Sequence, residues 1–254
     1  MGEITLEARK IVKRYGSVEA LSGASFSVRA GEVTALIGDN GAGKSTLIKC
    51  LSGVTQPTSG EIVLDGKPVV LDSPTRAREL GIETVHQDLA VAPDLDPAAN
   101  LYLGREIKRK GILGALGMLD KAEMRRRAQE EFANLGVTLR SVTVPIGSLS
   151  GGQRQSVAVA RSVVWASKVV FMDEPTAALG VVQRERVLDV IRTVRDRGIA
   201  IVLISHNMPE VLSVADRIEV LRLGSRVARF TASETSLEDL VGAMTGALTQ
   251  EEAA

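Results

Sequence analysis

The sequence predicts an α/β fold built on a mostly parallel, doubly wound sheet, and three stretches predict it. Residues 33–51 read as an apolar strand, a glycine-rich turn and a helix. Residues 169–174 form an apolar run closed by two acids, and residues 199–204 form a second apolar run that follows an amphipathic helix. Strands buried on both faces lose their polar alternation, so apolar runs separated by helical patterns are what βαβ units produce.

Size and composition frame that reading. The 254 residues, 44% of them hydrophobic, suffice for one large domain or two small ones. Lys+Arg and Asp+Glu are equal at 31 each, so no overall field draws nucleic acid or an anionic membrane. The single cysteine, Cys50, excludes an internal disulfide and reads as a small buried hydrophobe in a cytosolic setting. The first ten residues lack an apolar signal region, and the longest apolar run, Ile199 to Ile204, is too short to span a bilayer. A role at a membrane would need other chains to cross it.

From Ile4 to Val33, alternating β-like pieces break at Gly16, Gly23 and Gly31, which predicts an antiparallel edge sheet. Residues 60–71 read as a hairpin about Asp65-Gly66 that rejoins it. Ser73 and Pro74 predict a capped helix ended by Gly81, and residues 82–85 a strand leading to His86-Gln87-Asp88. From Leu89 to about Pro145 helical periodicity replaces β alternation. The clearest helix there starts at Asp120, with Glu123 three residues on, and aligns Met124, Ala128, Phe132 and Leu135 on one face. The basic runs at 105–110 and 125–127 read as solvated faces. A helix is expected over residues 154–166, then the strand ending at Asp173-Glu174, a helix with Val187, Ile191 and Val194 on one face stopped by Gly198, and the strand ending at Ser205-His206. Short strands and a helix over 237–244 close the chain.

Chemistry concentrates at the first turn. Gly38-Asp39-Asn40-Gly41-Ala42-Gly43-Lys44-Ser45 fits G-x-x-x-x-G-K-[ST] between strand and helix. Glycines let backbone N–H groups face inward and ring a phosphate chain at a helix N-terminus. Lys44 can reach the β- and γ-phosphates, and the Ser45 hydroxyl can bind Mg²⁺. Asp173 and Glu174 lie at the C-terminal edge of a buried strand, where open α/β sheets place their ligands. Taken singly, Tyr15 reads as a surface aromatic, His206 as a structural histidine and Ser150 as a helix cap.

Order makes these residues a pattern. Leu149-Ser150-Gly151-Gly152-Gln153, 20 residues ahead of Asp173, matches a family signature letter for letter. With the phosphate loop and the acidic strand end, the chain resembles the ATP-binding cassette subunit of an ABC transporter over nearly its whole length. The resemblance implies a P-loop NTPase (RecA-like) core, an antiparallel β subdomain at about 1–33 and 60–71, and an inserted helical subdomain at about 89–160, all within one ATPase domain. It implies nucleotide contacts from Tyr15, stacking on adenine, and from Gly38, Asp39, Asn40, Gly41, Ala42, Gly43, Lys44, Ser45 and Thr46. The signature residues Leu149, Ser150, Gly151, Gly152 and Gln153 would meet ATP held by a second subunit, so one motif set implies a homodimer with two ATP molecules. Glu174, His206 and Gln87 take the catalytic roles of water activation, γ-phosphate contact and sensing; Mg²⁺ falls to Ser45, Asp173 and Gln87.

Two departures refine the resemblance. Many members carry Ser-Ala-Leu-Asp where this chain has Ala-Ala-Leu-Gly, so Gly180 supplies no carboxylate. That variant, with GDNGAGKSTLIK and Val85-His86-Gln87-Asp88-Leu89-Ala90, is similar to bacterial monosaccharide importers of the ribose/fructose type, which usually fuse two such domains. The implied function is ATP hydrolysis powering sugar import, at the cytoplasmic face of the membrane. The implied partners are an integral membrane permease, meeting residues 89–103, and an extracytoplasmic sugar-binding protein, with no nucleic acid. An exporter subunit, a non-transport ABC ATPase acting on nucleic acid or ribosomes, and a small-molecule kinase are the competing readings.

Overall fold

In the computed structural model, which describes residues 2–85, 91–139, 141–177 and 179–248, two long strands open the chain, β1 (Ile4–Tyr15) and β2 (Val18–Arg29). They pair antiparallel throughout, so Gly23 does not break a strand as expected. It is the extra residue of a bulge, with φ +88° between the pairs Ile11↔Ala24 and Val12↔Ser22. Glycine reaches that conformation without a Cβ clash, and the bulge shifts the register while the strand continues. β1 also pairs with the strand Ser59–Leu64, which turns through Asp65-Gly66 into Lys67–Val69. Both turn residues have positive φ, 49° and 73°, the geometry of a two-residue type I′ hairpin.

Between these pieces lie β3 (Val33–Ile37) and α1 (Lys44–Leu51). The hairpin strands at 59–64 and 67–69 are therefore β4 and β5, and the first sheet has the order β2-β1-β4-β5. Next come α2 (Pro74–Glu79), capped as expected by Ser73 Oγ, which accepts from Arg76 N at 3.2 Å, and β6 (Ile82–Val85).

The chain divides into two compact units: Met1–Thr84, Ala166–Glu174 and Val194–Ala254 make one, Val85–Trp165 and Pro175–Thr193 the other. In the second, α3 (Pro97–Leu101) and α4 (Ile112–Ala115) precede α5 (Lys121–Asn134). Asp120 Oδ1 accepts from Glu123 N at 3.1 Å, and Met124, Ala128, Phe132 and Leu135 are buried on the expected face. Glu123 does not complete a reciprocal cap; its carboxylate accepts from Arg126 and Arg127 at 2.6–2.9 Å. α6 (Gly151–Trp165) starts three residues earlier than periodicity alone placed it, because Ser150 and Gln153 cap it reciprocally: each backbone N–H donates 3.3 Å to the other's side chain. Trp165 Nε1 donates to Leu101 O at 2.9 Å, tying α6 to α3.

The remaining elements are β7 (Val169–Asp173), α7 (Val181–Asp196), β8 (Ala200–Ile204), α8 (Met208–Val214), β9 (Arg217–Arg222), β10 (Ser225–Thr231) and α9 (Leu237–Thr245). They complete a six-stranded sheet of order β10-β9-β3-β8-β7-β6, in which β9, β3, β8 and β7 pair parallel and β10 pairs antiparallel to β9. β3 and β8 are buried along their whole length, the mark of central parallel strands. Successive residues of β3 face opposite cores. Leu36 packs with Phe26, Leu47, Leu51 and Phe171, whereas Ala35 and Ile37 pack with Val211, Ile218 and Leu240. The mostly parallel sheet, the separate antiparallel sheet and the helix-rich second unit agree with the fold class read from the sequence.

Candidate active site

Register assembles the first unit's chemistry. Leu36, Ile204 and Asp173 stand level on three neighbouring strands, β3, β8 and β7. The chain then leaves the sheet as Gly38 from β3, Ser205-His206 from β8 and Glu174 from β7, so the phosphate loop, the histidine and the second acid share one sheet edge. Strands lie about 4.8 Å apart, which sets the spacing of these groups.

The loop is closed by contacts only glycine permits. A Cβ on Gly38 would fall 2.2 Å from Leu221 O, and one on Gly43 2.8 Å from Ala20 O; φ is +152° and +103°. Ala42 N donates to Asp39 O at 3.1 Å and Asn40 N to Asp39 Oδ1 at 2.7 Å, which shapes the turn. Gly43 is the N-cap of α1, and among the described residues no side chain caps it, leaving the first-turn N–H groups to an anion. Lys44 Nζ folds over the loop and donates to Gly38 O at 2.6 Å and Asp39 O at 3.0 Å. Burial pushes the Lys44 ammonium below the usual lysine range, against the opposing pull of Glu174, Asp39 and Asp173. Three carboxylates therefore act on this one cation. Ser45 is exposed and Thr46 half-buried beside it.

Glu174 holds a left-handed backbone, φ +50°, unusual for a residue with a side chain. Its N–H donates to Ile204 O at 2.9 Å, and its Oε1 lies 3.1 Å from the donating His206 N and 2.8 Å from His206 Nδ1. A carboxylate acceptor places a proton on Nδ1, which leaves Nε2 to meet a different partner. His206 is 83% exposed and Glu174 17%, which leaves both within reach of a ligand at the sheet edge. Ser45 hydroxyl and Asp173 carboxylate are hard oxygen donors, a set that fits Mg²⁺ completed by phosphate oxygens and water. Among the described residues no cluster of three or more His, Cys, Asp or Glu is placed to hold a metal ion.

Tyr15 ends β1 at the β1–β2 turn, 48% exposed, with Lys13 Nζ 5.1 Å above its ring. It pairs with Val18, two residues before Ala20, whose carbonyl abuts Gly43 of the phosphate loop. Gln87, and His86 next to it, lie outside the described residues.

The signature residues belong to the second unit. Leu149 is buried and its carbonyl accepts from Arg154 at 2.6 Å; Ser150 and Gly151 are exposed at the start of α6. Gln155, buried one turn in, donates to Pro175 O at 2.5 Å and ties α6 to the segment after the paired acids.

Two supports were not legible as functional. The β9–β10 turn, Leu223-Gly224, has positive φ at both residues (48° and 79°), and Gly224 N donates to Ala42 O at 3.0 Å while its carbonyl accepts from Ser22 N at 2.9 Å. The Leu-Gly pair between alternating strands signalled a turn, but nothing in it named the phosphate loop as its partner. The second is Gln183 on α7. A Cβ on Gly152 would meet Gln183 Cγ at 2.3 Å, and one on Gly180 would meet Gln183 Oε1 at 2.9 Å. One side chain therefore covers the second glycine of the signature and the position that lacks the usual aspartate.

Comparison with known proteins gives concordant results. A family model described as "ABC transporter" matches residues 21–177. The chain is 52% identical over 247 residues to the fructose import ATP-binding protein FrcA of Rhizobium meliloti, covering 96% of this chain and 95% of that one. It is 42% identical to a ribose import ATP-binding protein, RbsA 2, of Burkholderia pseudomallei, across 95% of this chain and 46% of that longer protein. The crystal structure of an ATP-binding cassette of an ABC transporter in its ADP conformation superposes with a TM-score of 0.80 at 27% identity, covering 94% of this chain and 95% of that one.

Proposed function

The chain belongs to the ABC transporter family as an ATP-binding cassette, and from that premise we propose that it hydrolyses ATP to drive import of a monosaccharide, as the peripheral ATPase subunit of a transporter at the cytoplasmic face of the membrane. The observation that carries the chemistry is the single sheet edge shared by the phosphate loop, Glu174 and His206. Sequence likeness to fructose and ribose import ATP-binding proteins supports the sugar.

The N–H groups of residues 41–46 and Lys44 cradle the phosphates, with Tyr15 against adenine, where base stacking contributes roughly 1–3 kcal/mol. Ser45 and Asp173 hold Mg²⁺, which neutralises phosphate charge when bound. The Glu174 carboxylate, its Oε1 fixed by His206, turns its other oxygen to the attacking water and accepts its proton. His206 Nε2 faces the γ-phosphate. Gln87 links this site to the permease, which docks near residues 89–103. Ser150 and the start of α6 present donors to ATP bound by a second copy, so two chains complete two sites. A sugar-binding protein outside the membrane delivers the solute. In this reading residues 1–254 are one ATPase domain with its β and helical subdomains.

Purified chain should release phosphate from ATP, and Lys44→Ala should abolish both nucleotide binding and release. The transport claim is tested by tagging the chain, solubilising host membranes gently and identifying co-purifying proteins. A polytopic permease with a secreted sugar-binding protein is the expected result. Ribosomal proteins or nucleic acid without a permease would overturn it.

A further inference from the structure

We propose that residues 107–119 form a membrane-contacting tip that binds the headgroup region of an anionic bilayer. The segment is a closed protrusion: Asp120 N donates to Ile107 O at 2.7 Å, Lys108 bridges Leu119, and Arg109 N donates to Met118 O at 2.9 Å. At its end α4 makes a single turn that closes through several hydrogen bonds within the segment. Ala115 N donates to Gly111 O, Leu116 N to Ile112 O and Met118 N to Leu113 O, at 3.0–3.2 Å. Gly114 seals the tip, since a Cβ there would lie 1.7 Å from Arg109 O.

What the tip presents is unusual for a solvated surface. Ile112 is 81% and Leu116 74% exposed, with Leu113 and Met118 exposed beside them. Lys108, Arg109 and Lys110 border this apolar end, all exposed, and residues 107–119 contain no acid, within a chain of zero net charge. Apolar side chains rimmed by three successive cations, of which Lys108 also feels Glu106, are complementary to an anionic lipid surface, where the side chains enter the acyl boundary and the cations meet headgroup phosphates. A tip of four apolar side chains is too small for a stable protein interface. Of the basic run at 105–110, read from the sequence as a solvated face, Lys108, Arg109 and Lys110 are half of a binding surface, while Arg105 lies over the Trp165 ring at 4.8 Å. None of the tip's residues is assigned to the nucleotide machinery, so the proposal goes beyond the ATPase reading and is tested without it.

The measurement is flotation of the full chain with vesicles, either phosphatidylcholine alone or equal parts phosphatidylcholine and phosphatidylglycerol, at about 0.1 M and about 0.5 M salt. Binding should favour the anionic vesicles by at least about tenfold and fall with salt. Replacing Lys108, Arg109 and Lys110 by Gln should lower it by about fivefold per charge removed. Ile112→Ser with Leu116→Ser should also abolish flotation, while ATP turnover stays at the parent rate in both variants. Equal binding to both vesicle types, or anionic binding that survives both variants, would overturn the proposal. So would variants that float normally but no longer co-purify with a permease, which would make the tip a protein contact.

Discussion

Glu174, the water-activating base of the proposed reaction, also carries backbone strain. Its φ of +50° costs on the order of 1–3 kcal/mol, a conformation held by the Ile204 carbonyl on one side and His206 on the other. We expect Glu174→Gln to bind ATP as the parent does and to hydrolyse it about 10²–10⁴ times more slowly, read as phosphate release against nucleotide affinity. A loss of affinity instead would make Glu174 a binding group. The residue types at this edge were legible, because an apolar run ending in Asp-Glu and a glycine-rich loop ending in Lys-Ser carry their chemistry in their spacing. The left-handed backbone was not. Positive φ outside glycine is imposed by what packs around a residue, and no local pattern around position 174 encodes it.

At the scale of elements, the helix caps at Ser73 and Asp120 and the Asp65-Gly66 hairpin were readable, since each is a local hydrogen-bond arrangement between near neighbours. Supports that reach across the chain were hidden. Gly224 braces the phosphate loop from a turn 182 residues after Ala42, and a Cβ there would lie 3.0 Å from Ala20 O in a conformation with φ +79°. Gly224→Val should lower unfolding stability by roughly 1–3 kcal/mol and weaken ATP binding with it, measured by denaturant titration with and without nucleotide. Gly152 and Gln183 form a second hidden pair. Gly152→Ala should destabilise the protein and Gln183→Ala should largely rescue it, because the clash is with the Gln183 stem; additive effects in the double-mutant cycle would show that the two do not act together. On α5, hydrogen bonds from Arg126 and Arg127 hold the Glu123 carboxyl down at about 2, below its usual 4.5. A depressed acid stabilises the fold above its unfolded pKa and loses that contribution as pH falls. The difference in thermal midpoint between the parent and Glu123→Gln should therefore be present at neutral pH and shrink as pH drops from about 4.5 toward 2. A constant difference would assign Glu123 a role in packing.

For the whole molecule, the order of motifs made the family visible, while the number of copies belongs to the proposed function. Phosphate loop and acids sit in one compact unit and the signature in the other, and each occurs once. In the proposed dimer one copy supplies the phosphate loop and another the signature. Mixing two inactive variants tests this most directly. Lys44→Ala keeps an intact signature, and Ser150→Arg keeps an intact phosphate loop, so a mixed dimer regains one complete site. Each variant alone should be inactive, and an equal mixture should recover about a quarter of the parent ATP turnover, since half the dimers are mixed and each holds one working site of two. No recovery at any mixing ratio, with both variants folded, would contradict a site shared between two copies of this chain.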